Sequence, residues 1–172
     1  MELLIKKAQN GDDEAFIKII DEYMPQMYKI ARSRLKNEES IGDAIQETIL
    51  AAFTNIKKLN KPCYFKTWII KILINKCNDI ISDDKVLYVD DYSLLESTNA
   101  AYVENSEEKL DFESILNKLP YEYRLVIVMY YVSRLTTKEI SETLNEKEGT
   151  IKSRLSRARQ KLKSVYLNES VL

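Results

Sequence analysis

The chain has 172 residues, a formal net charge of −1, and hydrophobic residues at 45% of its positions. This length suits one large domain or two small ones, with enough apolar residues for a sizeable core. The sequence holds no histidine, three glycines and three prolines. Histidine-based zinc sites and Ser-His or Cys-His catalysis are therefore excluded, and a glycine-rich phosphate loop nearly so.

The two cysteines, Cys63 and Cys77, predict a reducing compartment and no disulfide framework. No apolar run approaches the roughly 18–20 residues that a membrane span needs. The first residues, MELLIKKAQNGDDEAF, turn acidic at once and lack the apolar segment of a signal peptide. We therefore expect a soluble cytoplasmic protein.

The N-terminal part of the chain predicts helices. Asp12 or Asp13 is placed to cap a helix with apolar residues at helical spacing, and Pro25 should kink that helix. Gly42 predicts a break before the next helix. A strongly apolar helix follows Pro62. No segment alternates convincingly as a strand would, so the fold class is predicted to be all-α.

An acidic stretch separates two parts of the chain. Residues 83–113 contain ten acidic and two basic residues and show no helical period over most of their length. This composition predicts a flexible acidic linker at residues 83–110. The linker would join an N-terminal helical bundle, residues 1–82, to a second small helical domain, residues 111–172. The alternative is a surface loop within one domain.

The second half contains a helix-turn-helix pattern. Thr136 suits an N-cap, and Glu139 three residues later completes a capping box. Residues 145–147 suit a turn, and a second helix should run from near Glu148 to about Leu162. The apolar residues of this second helix recur every three to four positions, which predicts one buried face.

The opposite face of the second helix is basic, with six basic residues and one acidic residue across residues 148–163. The second helix of such a motif enters the DNA major groove, and its N-terminal part reads base edges. Residues placed for this role are Thr150, Lys152, Ser153, Arg154 and Arg157. Arg159 and Lys161 lie further along, where phosphate contacts are expected. The alternative is a solvated basic face that binds nothing.

Residues 119–162, and above all the stretch GTIKSRLSRAR at residues 149–159, resemble the C-terminal DNA-binding domain of extracytoplasmic-function sigma factors. These are the smallest bacterial sigma factors. The resemblance implies that the basic helix recognises the minus-35 promoter element.

The N-terminal half carries a second resemblance. Residues 43–48, DAIQET, look like the polymerase-binding signature of the same family. The resemblance implies contacts to core RNA polymerase from five residues: Asp43, Gln46, Glu47, Ile49 and Phe53. Asp43 and Glu47 are four residues apart and so share one helix face. Without the resemblance, these two carboxylates would be interpreted as merely solvated.

Residues 65–68, FKTW, followed by Asn75 and Asp79, look like the promoter-melting helix of the family. The implied contacts to the minus-ten element come from Lys61, Tyr64, Lys66 and Asn75. Basic and aromatic residues together suit a single strand, because bases stack on aromatic rings. Ile69, not a second tryptophan, follows Trp68, so we expect Trp68 in the core and not as a wedge between bases.

The resemblance implies a bacterial sigma factor that binds core RNA polymerase and promoter DNA. It implies no catalysis, no cofactor and no metal, a restraining anti-sigma factor that is often membrane-anchored, and control by an envelope or stress signal. Two alternatives remain open at this stage. One is a stand-alone helix-turn-helix regulator that dimerises on a palindrome. The other is a helical adaptor that binds protein and no DNA.

Overall fold

The computed structural model describes residues 1–87, 116 and 118–169, and over these ranges it contains helices and no strand. This confirms the all-α prediction. Seven α-helices are described: α1 (Glu2–Gln9), α2 (Asp13–Arg32), α3 (Glu38–Asn55), α4 (Phe65–Leu87), α5 (Tyr121–Ile127), α6 (Thr137–Leu144) and α7 (Glu148–Glu169). Most of the predicted linker lies outside the described residues.

Two predicted helix boundaries differ from the structure. The break expected at Gly42 is wrong, because α3 begins earlier and runs through this residue. The Asn37 side chain caps α3 by accepting a hydrogen bond from the Ser40 N–H at 2.7 Å. A capped helix tolerates an interior glycine at a cost of about 1 kcal/mol. In addition, α4 continues to Leu87, so its last five residues lie in the segment predicted as a linker.

Helices α1 to α4 form the N-terminal bundle. Asp12 caps α2 as predicted, since its carboxylate accepts a hydrogen bond from the Ala15 N–H at 2.9 Å. Pro25 lies inside α2, which continues on both sides of it. Helix α3 packs against α4, and α2 packs against both. The inner faces of these helices bury large apolar side chains: Ile19, Met27, Ile30, Ile41, Phe65, Ile69, Ile70 and Leu73.

Helices α5 to α7 form the C-terminal region. A wider π-helical turn, Val128–Val132, extends α5. Arg134 then adopts a left-handed conformation with φ 51°, and this residue reverses the chain before α6. The Leu135 N–H closes the reversal by donating to the Met129 carbonyl at 3.1 Å. The reversal lays α6 and α7 back against α5 and its π-helical turn.

The two regions touch each other. Helix α4 of the bundle packs against α6, the first helix of the helix-turn-helix, and α2 packs against the π-helical turn. The buried apolar residues of both regions form one continuous cluster. The faces of α4 and α6 that meet are therefore covered by each other.

Candidate functional site

The turn before α7 fixes where the second helix of the helix-turn-helix begins. At the start of α6, the Thr136 N–H donates to Glu139 Oε2 at 2.8 Å, and the Glu139 N–H donates to Thr136 Oγ1 at 3.2 Å. This is the predicted capping box. At the end of α6, Asn145 is left-handed with φ 54°, and the Glu146 N–H donates to the Ser141 carbonyl at 3.0 Å. That hydrogen bond is typical of a Schellman motif at a helix C-terminus, and α7 starts two residues after Glu146.

Helix α7 has a buried face and a solvent face, as its periodicity predicts. Ile151, Leu155 and Ala158 are buried. The exposed residues in its first half include four of the predicted DNA-contacting residues, Thr150, Lys152, Ser153 and Arg157. The same exposed face also presents Ser156 and Gln160, which no sequence motif singled out. Both residues could have been predicted from their helical spacing, since Ser156 is four positions after Lys152 and Gln160 is three positions after Arg157.

Lys152 pairs with Glu148 Oε1 at 3.0 Å, but 63% of the Lys152 side chain is exposed. Arg154 differs from the other predicted base-reading residues because its ion pair is largely buried. Its Nη1 donates to Glu146 Oε1 at 2.9 Å, and its Nη2 lies 2.8 Å from Glu146 Oε2. Only 17% of the Arg154 side chain is exposed. The sequence predicts that Arg154 contacts a base. In the structure, its guanidinium instead pairs with Glu146 in the turn between α6 and α7.

The two predicted phosphate-contacting residues lie against tyrosine rings. The Arg159 guanidinium is 5.5 and 5.6 Å from the ring centroids of Tyr130 and Tyr131, and its Nε donates to the Tyr131 hydroxyl at 2.9 Å. The Lys161 ammonium lies 5.7 Å from the ring of Tyr123. Both side chains are on the protein surface. These contacts join α7 to α5 and to the π-helical turn.

The predicted polymerase-contacting residues lie along α3. Asp43, Gln46 and Glu47 are exposed, as is Phe53, whose ring packs in a T-shaped arrangement with the Phe16 ring, with the centroids 5.1 Å apart. Ile49, by contrast, is half-buried and packs against the core.

Leu50, which no sequence motif singled out, is 55% exposed. It is four residues after Gln46 and three before Phe53, so it continues the same stripe on the helix. The exposed face of α3 is thus acidic and polar at one end and apolar at the other.

The predicted minus-ten residues fall into two groups. Lys61 and Tyr64 lie in the turn before α4, with the Lys61 ammonium 6.0 Å from the Tyr64 ring, and Tyr64 is 57% exposed. The next ring, that of Phe65, is fully buried and contacts Tyr23 and Trp68. Trp68 is half-buried against the core, in line with the expectation that it is not a wedge.

The other two minus-ten residues lie on α4, close to the C-terminal region. Burial lowers the pKa of Lys66, while the nearby Glu139 carboxylate on α6 acts to raise it. Asn75 is exposed and lines a cleft of about 610 Å³ between α4 and the helix-turn-helix. Arg154 lines the opposite side of this cleft. Residues predicted to bind the two promoter elements therefore meet at one interdomain surface.

Among the residues that the structure describes, no group of three or more potential metal ligands comes together. Within the same part of the chain, no helix is long and apolar enough to cross a membrane.

Comparisons with known proteins agree with this arrangement of two regions. A family described as Sigma-70 region 2 matches residues 19–85, and a family described as Sigma-70, region 4, matches residues 109–162. The ECF RNA polymerase sigma factor SigW of Bacillus subtilis is 31% identical over 95% of this chain and 97% of the relative. The chain belongs to the extracytoplasmic-function (ECF) sigma factor family. SigV of the same organism is 28% identical over 88% of this chain and 91% of the relative.

Solved structures share the fold of this ECF sigma factor. The sigma factor RpoE of Bartonella quintana, solved with the anti-sigma factor NepR, superposes with a TM-score of 0.73. That match has 23% identity and covers 88% of this chain and 96% of that chain. CnrH, solved with the cytosolic domain of CnrY, gives a TM-score of 0.68 at 22% identity, with 96% of each chain covered.

The predicted function is confirmed at the level of the family. An ECF sigma factor binds core RNA polymerase and directs promoter-specific initiation of transcription. Region 2 corresponds to the α2–α4 part of the bundle, and region 4 contains the helix-turn-helix. The roles of individual residues stay predictions.

Proposed function

We propose that this ECF sigma factor recognises the minus-35 element through the exposed first half of α7. The observation that carries the proposal is the division of this helix into a buried apolar face and a solvent face that bears Lys152, Ser153 and Arg157. Lysine and arginine suit guanine edges, and serine suits several bases or a phosphate. Because a helix docks its N-terminal part in the major groove, these three side chains are placed to read the sequence.

Core RNA polymerase, in this proposal, binds the exposed face of α3. Asp43, Gln46 and Glu47 supply charge and hydrogen bonds at one end, and Leu50 and Phe53 supply apolar surface at the other. Glu47 also lies 3.3 Å from the Lys76 ammonium of α4, which orients its carboxylate without burying it. An apolar anchor beside charged groups is typical of a protein-binding surface.

The minus-ten element binds the turn before α4 and the start of that helix. Tyr64 offers an exposed ring on which a base can stack, and Lys61 beside it offers a charge for the backbone. Asn75 has an amide that pairs selectively with a base edge. Lys66 adds positive charge on the same helix, at the margin of the contact with α6.

An anti-sigma factor is the third partner that we propose. The support is that two solved relatives of the same fold were obtained with partners, NepR and the cytosolic domain of CnrY. Restraint of this kind suits a factor released by an envelope or stress signal. The proposed place of action is the cytoplasm, where the polymerase works. The factor itself carries out no chemistry and takes no cofactor.

Run-off transcription tests the proposed DNA and polymerase contacts. Purified core polymerase and the wild-type chain should yield specific transcripts from a genomic promoter library. Arg157→Ala should lose transcripts from the preferred promoters, whereas Lys163→Ala, which removes an exposed charge further along α7, should keep them. DNA binding by the chain alone, with no dependence on polymerase, would support the stand-alone regulator instead.

The anti-sigma partner needs its own experiment. The tagged chain would be crosslinked in cells, and each partner identified by mass spectrometry would then be purified. A true anti-sigma factor should displace core polymerase from the chain and suppress run-off transcription at equimolar amounts. If no crosslinked partner does both, this part of the proposal is wrong.

A further inference from the structure

Glu146 and Arg154 form a two-pronged ion pair across the turn of the helix-turn-helix. Each terminal nitrogen of the arginine faces its own carboxylate oxygen, at 2.9 and 2.8 Å. Their side chains are only 32% and 17% exposed. A paired contact of this geometry is stronger and more directional than a single-point ion pair, and partial burial reduces screening by salt.

The ion pair connects α7 to the turn that follows α6. Glu146 follows α6, and its backbone N–H is bound to Ser141 of that helix at 3.0 Å. Arg154 lies on the second turn of α7. A second polar contact joins the starts of the helices, because Thr137 Oγ1 donates to Glu148 Oε1 at 2.7 Å. Two polar contacts therefore hold α7 at a set angle to α6.

We propose that Arg154 is a positioning residue for minus-35 recognition and does not read a base itself. The inference rests on the proposed role of α7. An arginine reads guanine with two N–H groups, whereas Glu146 takes one N–H from each terminal nitrogen of Arg154 and only 17% of the Arg154 side chain is exposed. Arg154 acts through Glu146, and the pair sets the angle at which Lys152, Ser153 and Arg157 enter the groove.

Positioning and reading predict different losses of specificity. Loss of a base-reading arginine relaxes preference at one base pair. Loss of a positioning pair moves every reading side chain on α7 together, so preference relaxes at several adjacent base pairs. Moreover, a base-reading Arg154 would not need its carboxylate partner, whereas a positioning Arg154 has no effect without Glu146.

Glu146→Gln is the most informative variant because it leaves Arg154 in place and keeps the size of the partner. Arg154→Met removes the guanidinium. Arg154→Lys keeps the positive charge but cannot make the two-pronged contact with Glu146. Glu142→Gln, which neutralises an exposed carboxylate on α6, is the matched control. The measurement is binding of the reconstituted holoenzyme to a library randomised across the minus-35 element.

We expect Glu146→Gln, Arg154→Lys and Arg154→Met each to weaken binding to the preferred site by about fivefold to thirtyfold. Each should relax preference at several positions, and Glu142→Gln should match the wild type. The double variant that combines Glu146→Gln with Arg154→Met should bind no worse than the worse single variant, since both changes break one contact.

Two outcomes overturn the inference. One is a wild-type preference profile for Glu146→Gln. The other is relaxation at a single base pair in Arg154→Lys or Arg154→Met, which would make Arg154 a base reader. Lys152→Ala and Arg157→Ala, measured in the same library, test the underlying proposal separately. If neither changes the profile, α7 is not the reading helix, whatever the Glu146→Gln variant does.

Discussion

The guanidinium of Arg34 lies 5.4 Å from the centroid of the Tyr121 ring, and this contact joins the N-terminal bundle to the first residue of α5. The Arg34 Nη2 also donates to the Asn78 side chain on α4. The contact therefore stands at the border between region 2 and region 4. Arg34 and Tyr121 also line the cleft that Asn75 and Arg154 share.

If α4 and α7 bind the minus-ten and minus-35 elements as proposed, this closed arrangement cannot bind both elements at once. The centres of the minus-ten and minus-35 elements are about 25 base pairs apart, which is about 85 Å of duplex at about 3.4 Å per base pair. Helices α4 and α6 are in direct contact. The two regions must therefore separate before α4 and α7 can engage their elements together.

Tyr121→Leu should shift this equilibrium toward the open form. The substitution keeps an apolar side chain but removes the ring over which Arg34 lies, a contact worth about 1 kcal/mol, or about fivefold in the open-to-closed ratio. Energy transfer between dyes on Cys63 and on a cysteine introduced by Ser164→Cys would report the separation. Ile17→Ala, which truncates an exposed apolar side chain on α2, is the control. Equal distance distributions in all three proteins would contradict the prediction.

Leu50→Ala should weaken binding to core polymerase by about fivefold to thirtyfold, because an exposed leucine that becomes buried contributes about 1–2 kcal/mol. The residue is exposed in the free protein, so its loss should leave the melting temperature nearly unchanged. A titration of labelled protein against core enzyme measures the affinity. Leu3→Ala, which truncates a more exposed leucine on α1, should bind normally. Equal affinities for the two variants would remove Leu50 from the interface.

The two cysteines should differ sharply in reactivity. Burial raises the pKa of the Cys77 thiol to about 11, whereas Cys63 is exposed. Because the thiolate is the nucleophile, only on the order of one part in a thousand of Cys77 is reactive at pH 8. Iodoacetamide should therefore give one adduct on the native protein, at Cys63, and two after denaturation. Two adducts on the folded chain, seen by mass spectrometry, would mean that α4 does not bury Cys77.

Local features of the fold could be predicted from the sequence, because caps and turns depend on residues close in the chain. Asp12 and the Thr136–Glu139 box both function as their sequence context indicated. The contact of Arg159 with Tyr131 joins residues that are 28 positions apart, and no local pattern encodes it. Leu50 was missed for a related reason, since only the packing of α3 on α4 decides which of two adjacent apolar residues faces solvent.

The Glu146–Arg154 pair is a second contact that could not be predicted from the sequence, although its residues are closer in the chain. The residues are eight positions apart, and a turn lies between them, so helical periodicity does not connect them. The basic pattern of α7 suggested one role for all of its cations. Packing divides them into Lys152 and Arg157 on the solvent face, Arg154 on the turn, and Arg159 and Lys161 over tyrosine rings.

Arg157→Ala and Lys161→Ala should therefore weaken DNA binding in different ways. Arg157 is exposed in the first half of α7, so its loss should cost about 1–3 kcal/mol on the preferred site and relax preference at one position. Lys161 lies further along with its ammonium on the surface, and a cation–π contact at an exposed site is weak, about 0.5–1 kcal/mol. It remains available to a phosphate, so its loss should weaken binding to all sequences alike and reduce the salt slope by about one.

Holoenzyme binding to a promoter library, measured at several salt concentrations, separates these two effects. Lys18→Ala removes an exposed charge from α2 and controls for the change in net charge. Its slope should stay near that of the wild type, because condensed counterions are released only by residues that touch the DNA. If Lys161→Ala and Lys18→Ala have the same slope, Lys161 makes no phosphate contact and its role is limited to packing over Tyr123. If Arg157→Ala weakens all sequences equally, Arg157 binds the backbone, and base recognition on α7 falls to Lys152 and Ser153.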